Sequence, residues 1–225
     1  MNNPEIRRKI AEMEKILRRH YGEPDIGDRR PLSVLDEMIL TVLSQNTNDR
    51  NSGRAFDNLK SHFPTAEELS SAKQETLAEV IKTGGLGRIK AGYILTLLEW
   101  LEANYGTLDC GFLCKMETDE ALRAFRGVKG IGVKTIAVTL AFACKRDIFP
   151  VDTHVFRVMK RIGNLPESKT PEKAFYFLKD LIPSGKGISM HMNVIRHGRE
   201  VCRARKPDCP NCVLKAICDY FLSKS

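Results

Sequence analysis

The chain reads as all-α. Three observations carry that expectation. Apolar residues recur at helical spacing almost throughout its 225 residues; capping residues and glycines fall where such segments begin and end; and no stretch alternates apolar and polar residues as a strand would. The first helix opens with Pro4, which a first turn tolerates, and Ile6, Ile10, Met13 and Leu17 mark one apolar face. A loop rich in Gly, Pro and Asp, from Tyr21 to Pro31, separates it from the next segment. Ser33 caps that segment, which runs through Leu35, Met38, Ile39 and Val42, and Asp36 is expected to complete a capping box. Further helices are expected near 50–62, 66–71, 74–82, 88–104 and 119–125, then 133–144, 153–161, 171–181 and 187–201. Thr65 and Thr170 read as N-caps, Gly106 and Gly163 as stops. There is no internal repeat and no low-complexity segment.

Composition narrows the partners. Lys and Arg number 36 against 28 Asp and Glu, a net charge of +8, which suits a polyanion such as nucleic acid, though the signal is weak alone. The N-terminal MNNPEIRRKIAEMEKILRRHYG lacks the apolar core of a signal peptide, and the longest nearly apolar run, Thr135 to Cys144, is too short to span a bilayer. A cytoplasmic monomer without a membrane partner is the expectation. Seven cysteines, an odd number, fit a reducing interior. Cys110 and Cys114 form a Cys-x3-Cys pair able to ligate a metal, but buried thiols are the better reading for these two and Cys144.

The other four cysteines are spaced Cys202-x6-Cys209-x2-Cys212-x5-Cys218. A thiolate is a soft anionic ligand, and four of them match the open positions of a [4Fe–4S] cube. Zinc also takes four thiolates, but its usual frame is two close pairs, and here only Cys209 and Cys212 make one. Disulfides suit secreted chains, and inert thiols remain the plain alternative. The loop Arg203-Ala204-Arg205-Lys206-Pro207-Asp208 is strongly basic. Pinned at both ends, it would present Arg203, Arg205 and Lys206 to a phosphate backbone.

A second motif lies upstream. Val128-Lys129-Gly130-Ile131-Gly132-Val133-Lys134-Thr135 is a Gly-x-Gly turn feeding a helix. Gly130 and Gly132 permit a tight turn, and no Cβ blocks a ligand. The helix start offers unpaired N–H groups and a positive dipole end, which suit a phosphate. This is no P-loop, because the Gly-Lys-Ser/Thr ending is missing, and no strand precedes it as in a dinucleotide fingerprint. A plain helix–helix turn is the bland alternative. Asp152, eighteen residues past Lys134 in Pro150-Val151-Asp152-Thr153-His154, reads by itself as an N-cap, and His154 as a structural hydrogen-bonder.

Together these segments resemble the endonuclease III family of helix-hairpin-helix DNA glycosylases. Gly130-Ile131-Gly132-Val133-Lys134-Thr135 is similar to the family's Gly-Val-Gly-x-Lys-Thr hairpin, Val151-Asp152-Thr153-His154 matches its Val-Asp-Thr-His segment, and the four cysteines match its cluster loop. Leu43-Ser44-Gln45-Asn46-Thr47 and Gly85-Leu86-Gly87-Arg88-Ile89-Lys90-Ala91 fall where the family has two DNA-probing loops. The likeness covers nearly the whole chain in the expected order. It implies a six-helix barrel over residues 26–146 with the hairpin gripping DNA. Residues 1–25 with 147–225 would make a second helical lobe around a [4Fe–4S] cluster held by Cys202, Cys209, Cys212 and Cys218. A DNA cleft between the lobes would hold Lys134 and Asp152.

The resemblance also implies roles. A base inside a duplex must be turned out of the stack before it is attacked. Leu86 resembles the apolar wedge that fills the gap, with a buried loop anchor as the plain alternative, and Gln45 and Asn46 would reach the orphaned partner base with their amides. The family's glutamine aligns with Asn46, with Gln45 one residue earlier, a departure at the position on which the opposite-base preference rests; Lys129 and Ile136 stand where the family often has Pro and Ala. Lys134 would attack the sugar C1′, expel the base and form a Schiff base that permits strand scission by β-elimination. An ordinary lysine, of pKa about 10.4, is neutral in only about one molecule in a thousand near pH 7, so the site must favour the free amine. Asp152 would stabilise the cationic sugar or help deprotonate the amine. A phosphate-contacting surface lysine is the plain reading of Lys134. With all four iron positions taken by Cys, the cluster would not catalyse.

The expectation is therefore a base-excision glycosylase and abasic-site lyase acting on oxidised or damaged pyrimidines in duplex DNA. One rival is a mismatch glycosylase removing thymine or adenine. Adenine-removing relatives carry a catalytic Glu where this chain has Thr41, and a further C-terminal domain, whereas this sequence runs seven residues past Cys218. The other rival is a non-catalytic DNA-binding damage sensor, which needs neither Lys134 nor Asp152.

Overall fold

The computed structural model describes residues 4–24, 31–165 and 170–224. The helices run α1 (Pro4–Tyr21), α2 (Val34–Leu43), α3 (Asp49–His62), α4 (Ala66–Ser70), α5 (Gln74–Val80) and α6 (Gly87–Tyr105). They continue with α7 (Thr118–Ala124), α8 (Val133–Phe142), α9 (Thr153–Ile162), α10 (Pro171–Leu178), α11 (Gly187–Glu200) and α12 (Asp219–Leu222). Short 3-10 turns lie at Lys82–Gly84, Gly111–Cys114 and Lys215–Ile217, and no strand occurs among the described residues. The all-α expectation stands. The sequence pattern missed the 3-10 turns at 111–114 and 215–217 and the four-residue α12, all too short to show a period.

Contacts divide the chain into two compact units, Pro31–Lys145 and Met1–Arg30 with Arg146–Ser225. The sequence-based boundary at 25–26 lies outside the described residues.

The unit Pro31–Lys145 holds α2 to α8. Its central element is α8, in which every residue from Thr135 to Ala141 is buried. That explains the apolar run: a helix apolar all round is a core helix, here flanked by α2 and α7. Local chemistry sets the boundaries. Asn48 caps α3 through Asn51 N–H at 2.9 Å, and Thr65 with Glu68 forms a full capping box on α4. At α2 the expectation needs correcting. Ser33 Oγ accepts from Asp36 N–H at 3.0 Å, but the Asp36 carboxylate turns to Lys60 Nζ at 3.2 Å instead of closing the box. Aspartate is one methylene shorter than the glutamate that usually reaches back, and a cation stands beside it.

The remaining cysteines need a second correction. Cys114 and Cys144 are joined in a disulfide across a Cα–Cα distance of 5.1 Å, not left as buried thiols. The bond forms because the end of α8 returns beside the turn 111–114, a meeting that no local spacing announces. Cys110 is a free and fully buried thiol, pushed up to about 12 by burial and then by Asp109.

The second unit is built on α1, α9 and α11. Ile10, Met13 and Leu17 of α1 are buried, and α1 and α9 both pack on α11. Asp147 accepts from the backbone N–H of Gly185 and of Gly187, which fixes the start of α11. Gly163 ends α9 with φ +92, as the stop signal required. No helix among the described residues is long and apolar enough to cross a membrane.

Candidate nucleic-acid interface and metal centre

The hairpin between α7 and α8 assigns different duties to its two glycines. Gly130 has φ +86, and a Cβ there would lie 2.2 Å from Cγ of Tyr93, so α6 packs directly under the turn. Gly132 is extended, with φ −98 and ψ 179, and a Cβ would meet nothing within 4 Å. It needs no special backbone; what it leaves is open space. Gly132 is also the N-cap of α8 and supplies no side-chain bond to the first turn. The N–H groups there, backed by the positive end of a buried helix, can meet an anion. Lys134, half-buried, is the second residue of that helix.

The two loops named from sequence belong to the same unit. Gln45 Nε2 donates to Gly130 O at 3.0 Å, which ties this loop to the hairpin. Asn46, the next residue, is exposed and left-handed at φ +54. Part of the Gln45 amide is thus committed to the protein, and Asn46 is the more exposed of the two amides. Leu86 sits in the left-handed region at φ +53 and is 50% exposed, which removes the buried-anchor alternative. Ile89, three residues on, is equally exposed. Sequence reasoning missed it because it reads as an ordinary apolar helix position.

Asp152 and the four cysteines lie in the other unit. Asp152 caps α9, its Oδ1 accepting from Val155 N–H at 2.7 Å. His154 Nδ1 stands 3.1 Å from Arg157, in keeping with a structural role. Arg157 donates to the carbonyls of Cys202 at 2.9 Å and Gly198 at 2.8 Å. Burial lowers its pKa, with Cys202 and then Asp152 among the groups opposing that shift and Arg161 adding to it. One turn later Arg161 donates to Arg203 O at 2.7 Å and Ala204 O at 3.1 Å, while its guanidinium stacks over Tyr220 at 4.9 Å. These two arginines shape the basic loop and leave Arg203, Arg205 and Lys206 exposed. Neither could be singled out from sequence, where they look like the polar face of α9.

Cys202, Cys209, Cys212 and Cys218 are all unpaired and all line one cavity, with Val158, Ile162 and Phe221 among its apolar walls. Among the described residues no three His, Cys, Asp or Glu side chains converge tightly enough to hold a metal ion as they stand. What the thiols share is a cavity wall. That arrangement suits a bulky multi-iron group with one thiolate per iron better than four sulfurs on one ion. Arg161 donates to Cys202 Sγ at 3.4 Å, and His197 Nε2 lies 3.5 Å from Cys212 Sγ. Cys212 is pushed up to about 11, by burial first and then by the other three thiols, against a backbone hydrogen bond from Leu214. Cys218 is raised for the same leading reason. Four unpaired thiols on one cavity, with an arginine and a histidine beside two of the sulfurs, are a soft donor set, and the residues fit the cluster.

Residues 39–184 match the model of the HhH-GPD superfamily base excision DNA repair proteins. The chain is 32% identical to endonuclease III of Thermotoga maritima, over 96% of this chain and 93% of that protein. It is 33% identical to an Arabidopsis thaliana protein described as a DNA glycosylase, over 77% of this chain, and spans 59% of that protein's length. Among solved structures, a non-covalent endonuclease III–DNA complex superposes with a TM-score of 0.81 at 24% identity, covering 100% of this chain and 99% of that one. The chain belongs to the HhH-GPD superfamily of base excision DNA repair glycosylases, in its endonuclease III family.

Proposed function

We propose that this protein removes oxidised or otherwise damaged pyrimidines from duplex DNA and then cuts the strand at the abasic site by β-elimination. The observation that carries the proposal is Lys134 on the first turn of a helix whose N-cap, Gly132, is bare of side chain and open to an approaching sugar-phosphate. In this reading the hairpin N–H groups hold a phosphate, and the Lys134 amine attacks C1′. The C1′–N bond breaks, and the base leaves with its electron pair and takes up a proton. The amine then sheds a proton and the C1′–O4′ bond opens, O4′ taking the electron pair and a proton; the resulting iminium acidifies the C2′ proton, whose loss expels the 3′ phosphate and cuts the strand.

Asp152 is the carboxylate that offsets positive charge developing on the sugar. Its Oδ1 accepts the α9 cap hydrogen bond. Leu86 fills the space left by the flipped nucleotide, and Asn46, supported by Gln45, meets the partner base. Cys202, Cys209, Cys212 and Cys218 hold a [4Fe–4S] cluster. When bound, it supplies a rigid tie for the basic loop, so that Arg203, Arg205 and Lys206 meet phosphates.

The test is a panel of duplexes carrying thymine glycol, an abasic site, uracil or a T·G pair. Cleavage of the first two with a β-elimination product is expected. Cleavage confined to T·G would move the substrate to mismatched thymine, and binding without cleavage of any duplex would reduce the protein to a damage sensor.

A further inference from the structure

Lys90 is only 1% exposed, yet among the described residues no carboxylate is paired with it. Its ammonium donates to two backbone carbonyls, Leu43 O at 2.7 Å and Gly84 O at 2.8 Å. Both are C-terminal carbonyls: Leu43 closes α2, and Gly84 closes the 3-10 turn 82–84. Such carbonyls lack helical partners and carry the negative end of the local dipole, so a cation between them is well placed. Burial lowers the pKa of Lys90, the cost of keeping it there.

The two carbonyls are not equivalent pieces of core. Leu43 is followed by Ser44, Gln45 and the left-handed Asn46; Gly84 is followed by Gly85 at φ +70 and the left-handed Leu86. One ammonium therefore holds the roots of both loops that the proposed function places on DNA. A Cβ on Gly84 would come 3.1 Å from Ala55 and 3.9 Å from the ammonium, so the packing there has no slack.

We infer that Lys90 is a positioning residue that sets the spacing between Leu86 and Asn46, so that wedge and partner-base probe engage the same base pair. The inference rests on the proposed glycosylase reading. Stability alone would be served as well by an apolar side chain with its carbonyls turned elsewhere, whereas a shared cation couples the two loops.

The test uses the full-length metal-loaded protein with a duplex carrying 2-aminopurine opposite a tetrahydrofuran abasic analogue, which Lys134 cannot open. Wild type should raise the fluorescence as the wedge enters. Lys90→Met, near in shape but without donors, should need on the order of tenfold more protein to reach half the signal, within the range of coupling energies carried by such networks. Lys90→Gln, with one amide donor group, should fall between. A second readout is the ratio of damaged-base release to cutting at a preformed abasic site, which Lys90→Met should lower by about tenfold. General loss of folded protein would reduce both rates alike. If Lys90→Met matches wild type in fluorescence and ratio, or lowers only the melting temperature, the inference is wrong. A wild type that neither unstacks nor cuts damaged DNA overturns the functional reading, and this one with it.

Discussion

Replacing Cys114 and Cys144 together by serine should cost the unit Pro31–Lys145 a large share of its stability. The bond joins positions 30 residues apart. The loop it closes contains α7, the Gly130 turn and all of α8, including Lys134. The chain-entropy relation for a loop of that length gives roughly 12 cal/mol/K, or about 3.6 kcal/mol at 25 °C. At about 3 °C per kcal/mol for a protein of this size, the first thermal transition should fall by roughly 10 °C. Differential scanning calorimetry of the double variant beside wild type measures this. Wild type treated with a reductant should show the same fall. Alkylation under denaturing conditions should find two fewer reactive thiols in the untreated protein than in the reduced one. A shift under about 3 °C, near 1 kcal/mol, or a full complement of seven reactive thiols, would refute the reasoning.

Five further outcomes are expected. Gly130→Ala should destabilise by about 2–4 kcal/mol, from the left-handed backbone and the collision with Tyr93. Gly132→Ala should change stability by no more than about 1 kcal/mol while weakening DNA binding; chemical denaturation and a binding titration separate the two. Asp152→Asn should keep the α9 cap, since Asn caps as well as Asp, whereas Asp152→Ala should lose about 1 kcal/mol. Both should slow release of a damaged base yet still cut a preformed abasic site, as gel assays would resolve. Arg203→Ala with Arg205→Ala should flatten the slope of log K against log salt by roughly one per lost phosphate contact. Metal analysis of protein purified without oxygen should find about four irons per chain, lost in Cys212→Ser. Zinc in place of iron would remove the cluster from the account.

The sequence carried the fold class because helices are written locally. Thr65 with Glu68, Pro171 after Thr170 and the Gly163 stop each act within one turn, and each appears where its residues ask for it. The hairpin and the four-cysteine spacing were legible for the same reason. What stayed hidden depends on chain segments meeting far apart in sequence. Cys144 meets Cys114 only because α8 is threaded back through the core. Lys90 stood in a quoted loop motif, but its two carbonyl partners, one of them 47 residues away, were not visible. The commitment of Gln45 to Gly130 spans 85 residues, and Asn46 beside it is the more exposed of the two amides. Asp36 failed as a capping-box partner because Lys60, on another helix, competed for it.

The central claim is that Lys134 is the nucleophile, and covalent trapping tests it most directly. Wild type incubated with a thymine glycol duplex and sodium borohydride should give a protein–DNA adduct, and peptide mapping should place the reduced link on Lys134. Lys134→Gln should abolish the adduct while keeping its affinity for DNA within about tenfold, since the hairpin N–H groups remain. Trapping of Lys134→Gln at the wild-type level, or a link mapped to another residue, would contradict the account.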